Sequence, residues 1–353
     1  MLVKSLTAAA FFALPAYAAL TGFPEGYKVP EPKPEWLELI KNANISNAPV
    51  LKNEPGVGPV QPSNVQGDPN CVWTFTECLR PEDVYTCPKG TWSVTYDDGP
   101  SEFSPLLYDY LDKVNQKVTF FMVGTQIVQY PELAKRAYEA GHEIAMHSWS
   151  HSYMTTLTNE QVVAELKWNE LAIKEATGYS PKYFRPPFGN IDDRVRDICK
   201  ALGFTPVIWD HDTFDWRLTE NSGFQQSWIS GNVSEWANTA QGGMSLQHDL
   251  YNETVHAAID IFPILQEKFQ LKLVRDCDPH GNASTSANTT TASPSASQPA
   301  NSSPAAASAS SSASSSASVA AANANAENAA SGRFIVSSGL GLLLAAVAAI
   351  SVA

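Results

Sequence analysis

Two neighbouring carboxylates, Asp97 and Asp98, follow a short run of β-branched and aromatic residues. Their like charges repel each other unless a cation or separate chemical roles resolve the conflict. Because Gly99 follows directly, a simple Asp-Gly turn is the structural alternative. The pair could therefore supply a metal ligand and a general base, or it could only shape a turn.

Two histidines, His147 and His151, follow a second apolar run and lie four residues apart. At this spacing both imidazoles can reach one cation, although a histidine pair on a surface loop is often incidental. Together with one carboxylate they would form a set that leaves a coordination position open for water, as in catalytic zinc sites. The same set can hold Fe(II), but an oxidising extracellular location disfavours iron.

Three further segments carry polar groups after short apolar runs: Arg185–Gly189, Asp212–Trp216 and Leu246–His248. In the first, two consecutive prolines remove two backbone donors and stiffen the loop, so that Arg185 can face a carboxylate. The alternative is a rigid loop with a surface arginine. An aspartate can hold a histidine in one tautomer as an acid or base, but spacing alone does not establish that role for the other two segments.

From Thr91 onwards, short strand-like runs alternate with stretches of helical period. This alternation predicts an α/β fold with a parallel sheet and helices outside it. The number of strands favours a closed or nearly closed, distorted (β/α)7 barrel of the TIM-like kind, and an open doubly wound sheet is the alternative. Each of the five segments falls where a predicted strand ends, which is the face on which barrel enzymes gather catalytic residues. The predicted strands are Trp92–Tyr96, Val118–Val123, Glu143–Met146, Tyr183–Arg185, Pro206–Trp209, Met244–Gln247 and Leu271–Val274.

Residues 19–86 are rich in proline and irregular, and we interpret them as an N-terminal extension that packs on a domain at 87–280. Trp36, Leu37 and Ile40 could form one short helix there. Within the domain, N-cap, proline and glycine signals predict helix ends. These signals occur at Ser104, Pro131, Gly141, Thr158, Gly178 and Gly203.

The two ends of the sequence differ in composition from the domain. Residues 1–18 combine Lys4, an apolar run and a small-residue cleavage site, which is typical of a secretory signal peptide. Residues 281–328 are rich in Ser, Ala and Thr and predict a disordered, glycosylated stalk. Residues 329–353 resemble a GPI-attachment propeptide, with Asn328 as the favoured attachment residue and Ala330 or Ser331 as alternatives. A C-terminal transmembrane helix is the other interpretation.

Export is also consistent with six N-glycosylation sequons, which begin at Asn44, Asn232, Asn252, Asn282, Asn288 and Asn301. We therefore expect a secreted protein held by a GPI anchor on the outer face of the cell membrane, with the cell wall as a further location. The net charge of −13 argues against nucleic acid as a partner, because phosphate binding needs clustered Lys and Arg.

Five cysteines in an oxidising compartment predict two disulfides and one remaining thiol. The sequence does not determine the connectivity. We favour a small loop closed by Cys71–Cys78 and a Cys87–Cys277 bond that joins the two ends of the domain. Cys199 then remains as a buried free thiol in a helix.

Taken in order along the chain, the five segments resemble the signature motifs of polysaccharide deacetylases of the NodB-homology type. The motifs are T-[FY]-D-D-G-P, H-S-x-x-H, R-P-P-[FY]-G, D-x-x-D-W and L-x-H, and the resemblance covers residues 88–276. With its export and anchoring signals, the chain is similar to the fungal chitin deacetylases. Tyr96 stands where phenylalanine is commoner and Phe188 where tyrosine is commoner. The second difference is tolerable if that position contributes its backbone N–H.

The resemblance implies one divalent cation, Zn²⁺ or Co²⁺, that polarises the amide carbonyl and lowers the pKa of water. Its implied ligands are Asp98, His147 and His151. Asp97 would be the general base, with Arg185 paired to it. His248 would be the general acid, oriented by Asp215.

The same resemblance implies how the substrate is held. Trp216 and Leu246 would wall the pocket for the acetyl methyl group, and Phe188 would offer its N–H to the oxyanion. Asp97 would also contact the substrate. The expected reaction converts the N-acetylglucosamine units of chitin into chitosan and acetate during biogenesis or remodelling of the fungal cell wall, and we expect a monomer.

Other functions remain as alternatives. A glycosidase would need two carboxylates that flank the glycosidic bond, which leaves the two histidines without a role. A non-catalytic wall-binding protein would be expected to lack the metal ligands or the base. A deacetylase of another acetylated polysaccharide would carry the same motifs.

Overall fold

A parallel sheet lies at the centre of the domain and positions the candidate catalytic residues. The computed structural model describes residues 19–220, 222–239 and 241–281. The predicted signal peptide, all of the stalk except Gly281, the GPI segment with Asn328, and the sequons at Asn282, Asn288 and Asn301 lie outside these residues. Among the described residues, no helix combines the length and the apolar character that crossing a membrane requires.

The strands of the described residues fall into two sheets. A two-stranded antiparallel hairpin consists of β1 (Lys52–Glu54) and β2 (Gly58–Val60). The central sheet consists of β3 (Thr91–Asp97), β4 (Thr119–Met122), β5 (Glu143–Met146), β6 (Tyr183–Phe184), β7 (Thr205–Pro206), β8 (His211–Asp212), β9 (Gly243–His248) and β10 (Gln270–Lys272).

The central sheet has the strand order β7-β6-β5-β4-β3-β9-β8, and all of its pairs are parallel. Strand β10 also pairs with the first half of β3. No ladder joins β7 to β8 within the described residues, so the sheet is an open half-barrel and not a closed barrel. The prediction of a distorted (β/α)7 barrel with parallel strands is therefore confirmed.

Helices connect the strands and cover the outside of the sheet. They are α1 (Pro34–Leu37), α2 (Trp73–Thr76), α3 (Ser104–Lys113), α4 (Gly124–Gln129), α5 (Pro131–Glu139), α6 (Asn159–Thr177), α7 (Asp193–Leu202), α8 (Gln226–Thr239), α9 (Asn252–Lys268) and α10 (Val274–Cys277). The longest of them, α6, begins with a capping box between Thr158 and Gln161 and ends at Gly178 in the left-handed region (φ 77°), as the sequence predicts.

Three sequence predictions of local structure need correction. The strand expected at Pro206–Trp209 is only Thr205–Pro206, because Val207 forms a single bridge with Val84 of the extension. The strand expected at Leu271–Val274 ends at Lys272, because the Asp276 carboxylate accepts the N–H of Leu273 and starts a helical turn there.

Ser104 is not an N-cap, which is the third correction. Phe103 takes that position without a side-chain cap, and Ser104 is the first helical residue. The Ser104 hydroxyl donates instead to the buried carboxylate of Asp249 at 2.5 Å. A tertiary partner therefore replaces the local one that the sequence suggests.

The N-terminal extension packs along the barrel and belongs to the same compact unit. The ring of Phe23 stacks on that of Trp149 with 5.7 Å between centroids, and Trp36 meets Trp168 edge to face at 5.0 Å. The indole N–H of Trp168 donates to the carbonyl of Glu31. The extension is thus a structural part of the domain, as its apolar residues suggest.

The structure joins Cys71 to Cys78 and Cys87 to Cys277, and it leaves Cys199 free and buried. This is the pairing that the sequence favours. The Cys87–Cys277 bond links the segment before β3 to α10, so it holds the beginning and the end of the barrel together.

Candidate active site

The carboxyl ends of the strands bring the candidate catalytic residues to one edge of the sheet. Asp97 is the last residue of β3, and it lies in register with His248, the last residue of β9. His147 directly follows β5 and Arg185 directly follows β6. Because parallel strands present their carboxyl ends on one face, residues from distant parts of the chain meet there.

The Asp98 side chain is directed by an uncommon backbone conformation. Asp98 lies in the left-handed region (φ 79°), and its N–H donates to the carbonyl of Phe121 at 3.1 Å. A Cβ atom at Gly99 would collide with the carboxylate of Asp249. The Asp-Gly sequence therefore forms the turn that the sequence left open, and this turn also directs the Asp98 carboxylate to His147 and His151.

Asp98, His147 and His151 form the one group of potential metal ligands found among the described residues. Their ligand atoms all lie within 4.8 Å of one another. The Asp98 Oδ1 atom is 3.1 Å from His151 Nε2 and 3.4 Å from His147 Nε2. This oxygen is buried, yet no described residue donates a well-aligned hydrogen bond to it. A buried polar atom without such a donor is unfavourable, and a cation would satisfy it.

A backbone carbonyl fixes the orientation of the His147 ring. Nδ1 lies 2.8 Å from the carbonyl oxygen of Arg185, so this nitrogen carries the hydrogen and Nε2 keeps its lone pair. Nε2 is the atom that faces Asp98. Metal-binding histidines commonly use this arrangement, in which the second ring nitrogen donates to a carbonyl.

Helix α6 holds the loop that carries both histidines. The buried carboxylate of Glu165 accepts the N–H groups of Trp149 and Ser150, each at 2.8 Å. One turn later, Asn169 accepts the N–H of His147 at 2.9 Å. Burial raises the pKa of Glu165. Neither residue was singled out from the sequence, although polar side chains at i and i+4 share one helix face.

Arg185 and Asp97 form a buried ion pair, with exposed fractions of 0% and 1%. Arg185 Nη1 donates to Asp97 Oδ1 at 2.8 Å and to Thr95 Oγ1 at 2.6 Å. Its guanidinium lies 4.1 Å from the ring centroid of Phe121. Burial lowers the pKa of Arg185, and Asp97 opposes that shift. The pair leaves Asp97 Oδ2 directed to the metal-ligand side, 3.6 Å from His147 Nε2.

His248 and Asp215 form a second pair across the cleft. His248 Nδ1 lies 2.7 Å from Asp215 Oδ1, and the backbone N–H of His248 donates to Asp215 Oδ2 at 2.8 Å. Burial disfavours the imidazolium, but Asp215 first, then Asp98 and Asp97, outweigh it and raise the pKa of His248 to about 10. His248 is therefore arranged to carry a proton on Nε2.

Asp249, the residue after His248, ties the two sides of the site together. Its Oδ1 accepts the N–H of Gly99 at 3.1 Å, and its own N–H donates to the carbonyl of Asp97 at 3.2 Å. Burial raises the pKa of Asp249 to about 7. No pattern in the sequence indicates this role, because the contact joins segments 150 residues apart.

These groups face a cleft of about 470 Å³. Leu246 is buried in its wall, whereas Trp216 is 39% and Phe188 46% exposed. The Phe188 ring stacks on Tyr153 with 4.1 Å between centroids and meets the His151 ring edge to face at 4.6 Å. The lining residues are Asp97, Asp98, His147, His151, Tyr153, Phe188, Trp209, Asp212, Trp216, Glu220, Leu246 and His248.

The structure thus brings together every candidate catalytic, substrate-binding and metal-binding residue that the sequence suggests, with Arg185 and Asp215 behind the lining. Tyr153, Trp209 and Glu220 also line the cleft and were not predicted, and Asp212, the first residue of a predicted motif without an assigned role, lines it as well. Of the sequons within the described residues, Asn44 and Asn252 are exposed, and Asn232 is partly buried in α8.

Residues 85–207 match the family model described as polysaccharide deacetylase. Chitin deacetylase 1 of Cryptococcus neoformans var. grubii is 40% identical over 246 residues, which are 64% of this chain and 52% of that protein. The chitin deacetylase of Amylomyces rouxii is 42% identical over 214 residues, 57% of this chain and 50% of that protein. The chain thus spans about half the length of these curated relatives.

A solved structure shows the same fold. The chitin deacetylase from the fungal pathogen Colletotrichum lindemuthianum superposes with a TM-score of 0.52 at 24% identity, over 56% of this chain and 91% of that one.

Proposed function

We propose that this chain is a metal-dependent chitin deacetylase, because residues 85–207 match the polysaccharide deacetylase family model and a chitin deacetylase is 40% identical over 246 residues. It hydrolyses the N-acetyl groups of N-acetylglucosamine units and leaves glucosamine units and acetate. The observation that carries this proposal is the convergence of three candidate metal ligands with the Arg185–Asp97 and His248–Asp215 pairs on one cleft.

The three candidate ligands fit a divalent cation. Two imidazoles and one carboxylate suit Zn²⁺ or Co²⁺, and the buried Asp98 Oδ1 without a well-aligned donor among the described residues supports this assignment. When bound, such a cation polarises a carbonyl and makes water more acidic.

Asp97 accepts a proton from the attacking water. Its Oδ1 is held by Arg185, so Oδ2 is the atom available for the transfer. His248 then donates the proton on Nε2 to the leaving nitrogen, while Asp215 stabilises the imidazolium and fixes its tautomer.

The remaining residues position the acetamide. Leu246 and Trp216 wall the part of the cleft that takes the methyl group. The N–H of Phe188 donates to the developing oxyanion, and losing one such donor costs about 3–4 kcal/mol of transition-state stabilisation.

The two aspartates provide the test. In the purified protein, Asp98→Asn should lower both the bound metal and the acetate released from chitin oligomers, since it removes a charged ligand. Asp97→Asn should keep the metal and lower turnover by about 10²–10⁴-fold, the range for general acid–base catalysis. Asp109→Asn changes an exposed aspartate of α3 and serves as the matched control.

Metal content is measured by elemental analysis and acetate by an enzymatic assay, with chain length followed in parallel. If Asp97→Asn empties the site while Asp98→Asn remains loaded and active, the two roles are reversed. If chains shorten without acetate release, the protein is a glycosidase and the proposal is wrong.

We further propose that the protein is secreted, held on the outer cell surface by a GPI anchor, and active in cell-wall biogenesis. The two disulfides support an oxidising compartment, and the compositions of 1–18 and 329–353 support export and anchoring. A phosphatidylinositol-specific phospholipase should release the protein from membranes. A tag that remains attached after Ala353 in the mature protein would contradict the anchor.

A further inference from the structure

The N-terminal extension touches the loop that carries Phe188. The backbone N–H of Trp73 in α2 donates to the carbonyl of Ile191 at 3.1 Å. A Cβ atom at Gly189 would collide with the Trp73 ring. The adjacent Thr74 hydroxyl accepts from Asn190 at 3.2 Å. The extension is therefore in direct contact with the candidate active-site loop.

A second cleft, which we name the extension cleft, adjoins the active site. It has a volume of about 610 Å³ and is lined by residues of the extension, of α8 and of the segment from Trp209 to Phe214. Trp209 and Asp212 line both clefts. A polymer chain that places one unit at the candidate metal site could therefore place another unit in the extension cleft.

The wall of the extension cleft is rich in aromatic rings. Trp73 and Tyr85 come from the extension, Trp209 follows β7, and Trp236 comes from α8. The Trp73 and Trp209 rings meet edge to face with 4.7 Å between centroids. A concave pocket with aromatic walls and a few polar groups is a typical ligand site. The C–H faces of a pyranose ring pack well against such rings.

Three carboxylates line the extension cleft, together with His211 and Asn232. Glu77, Asp210 and Asp212 line it, and none of its described lining residues is a lysine or an arginine. His211 Nδ1 lies 2.7 Å from Asp210 Oδ1, and the N–H of Met244 donates to the same oxygen. The Glu77 side chain is exposed and makes no ion pair among those found in the described residues. A cationic sugar complements this charge better than a neutral one.

We propose that the extension cleft binds a glucosamine unit of the chain that is being deacetylated. The aromatic rings hold the sugar ring, and the exposed Glu77 carboxylate attracts its protonated amine. The enzyme then prefers chains that are already partly deacetylated. This inference rests on the proposed deacetylase function, since it places a product unit beside the reacting one.

The experiment uses the whole protein from a glycosylating host, loaded with metal, and two chitin oligomers of equal length, one fully acetylated and one partly deacetylated. The wild type should show the lower KM for the partly deacetylated oligomer, and added salt should weaken this preference. Glu77→Gln should reduce the preference by about two- to five-fold, as expected for one partly screened ion pair. Its kcat on the fully acetylated oligomer should not change.

Glu77→Gln and a second variant in the extension cleft, Tyr85→Ala, are each compared with a matched control. Glu235→Gln changes an exposed glutamate of α8 that does not line the extension cleft, and it should keep the wild-type preference. Tyr85→Ala should raise KM for the partly deacetylated oligomer. Tyr138→Ala removes a tyrosine of similar exposure (37% against 39%) far along the chain in α5 and should not raise KM.

Several outcomes separate the two proposals. Normal acetate release with equal KM for both oligomers overturns the extension-cleft proposal and leaves the deacetylase intact. The extension-cleft proposal is likewise overturned if Glu77→Gln and Glu235→Gln behave alike. If the preference appears only in Asn232→Gln, a glycan on Asn232 fills the cleft of the native protein, and the proposal is wrong. Absence of acetate release from both oligomers refutes the deacetylase itself.

Discussion

Replacing Arg185 by methionine would leave the Asp97 carboxylate buried without its cation. Both side chains are almost completely inaccessible, and Thr95 Oγ1 would lose its donor from Nη1 as well. Removing one partner of a buried ion pair costs about 3–5 kcal/mol of unfolding free energy, because the other charge stays desolvated. For a domain of this size, about 2–4 °C of Tm is lost per kcal/mol, so Tm should fall by roughly 6–20 °C.

A double-variant cycle tests whether the unpaired charge is the cause. Asp97→Asn alone leaves the Arg185 cation with Thr95 Oγ1, the carbonyl of Ile208 and the Phe121 ring as partners. The double variant Asp97→Asn/Arg185→Met contains neither charge. It should therefore melt above Arg185→Met, with a coupling energy of at least about 0.5 kcal/mol.

The assay is thermal unfolding followed by circular dichroism, with disulfides intact and metal removed by a chelator so that ligand binding does not alter Tm. Arg136→Met is the matched control, since Arg136 pairs with Asp109 on the surface and such pairs contribute about 0–1 kcal/mol. If Arg185→Met melts within about 2 °C of the wild type, or if the two losses simply add, the buried pair does not contribute to stability in this way.

Three further predictions concern pH, Asp249 and the long disulfide. As the proposed general acid, His248 donates only when it is protonated, so activity should be lost as the pH rises through its pKa, at or below about 10. Asp215→Asn should move this alkaline limb of the pH–rate profile to lower pH, because Asp215 raises the pKa of His248. Asp249→Ala should weaken metal binding by about 10–100-fold, as measured by competition with a chelator, while Asp249→Asn should retain more affinity because it can still accept a hydrogen bond. Cys87→Ser/Cys277→Ser opens a link that spans 190 residues, and urea unfolding should show a loss of up to about 5 kcal/mol.

The location of the site could be predicted because each motif ends a strand of a parallel sheet. Asp97 and His248 lie 151 residues apart in the sequence, yet the strand ends β3 and β9 bring them into register. Short apolar runs and glycine signals were sufficient to place those strands. Two-residue strands such as β8 have no such signal, and β8 was not predicted.

The residues that support the site could not be predicted, because their partners are distant. Glu165 and Asn169 lie in α6, whose sequence has only the pattern of an ordinary amphipathic helix. Their role becomes visible only where α6 packs on the loop that carries His147 and His151. The hydroxyl of Ser104 has a local interpretation as a cap, but the buried Asp249 attracts it instead. Trp73, which contacts Gly189, likewise lies in a proline-rich segment without helical or strand periodicity.

The contact between Asp249 and the turn at Gly99 also bears on when the site forms during synthesis of the chain. The candidate ligands Asp98, His147 and His151 are all synthesised within the first half of the chain. The turn that directs Asp98, however, is anchored by a residue 150 positions later, and β3 completes its pairing only with β9. A nascent chain that ends before residue 249 therefore contains the candidate ligands without the contact that anchors the turn at Asp98. The candidate metal site consequently reaches its final geometry only after β9 has been synthesised.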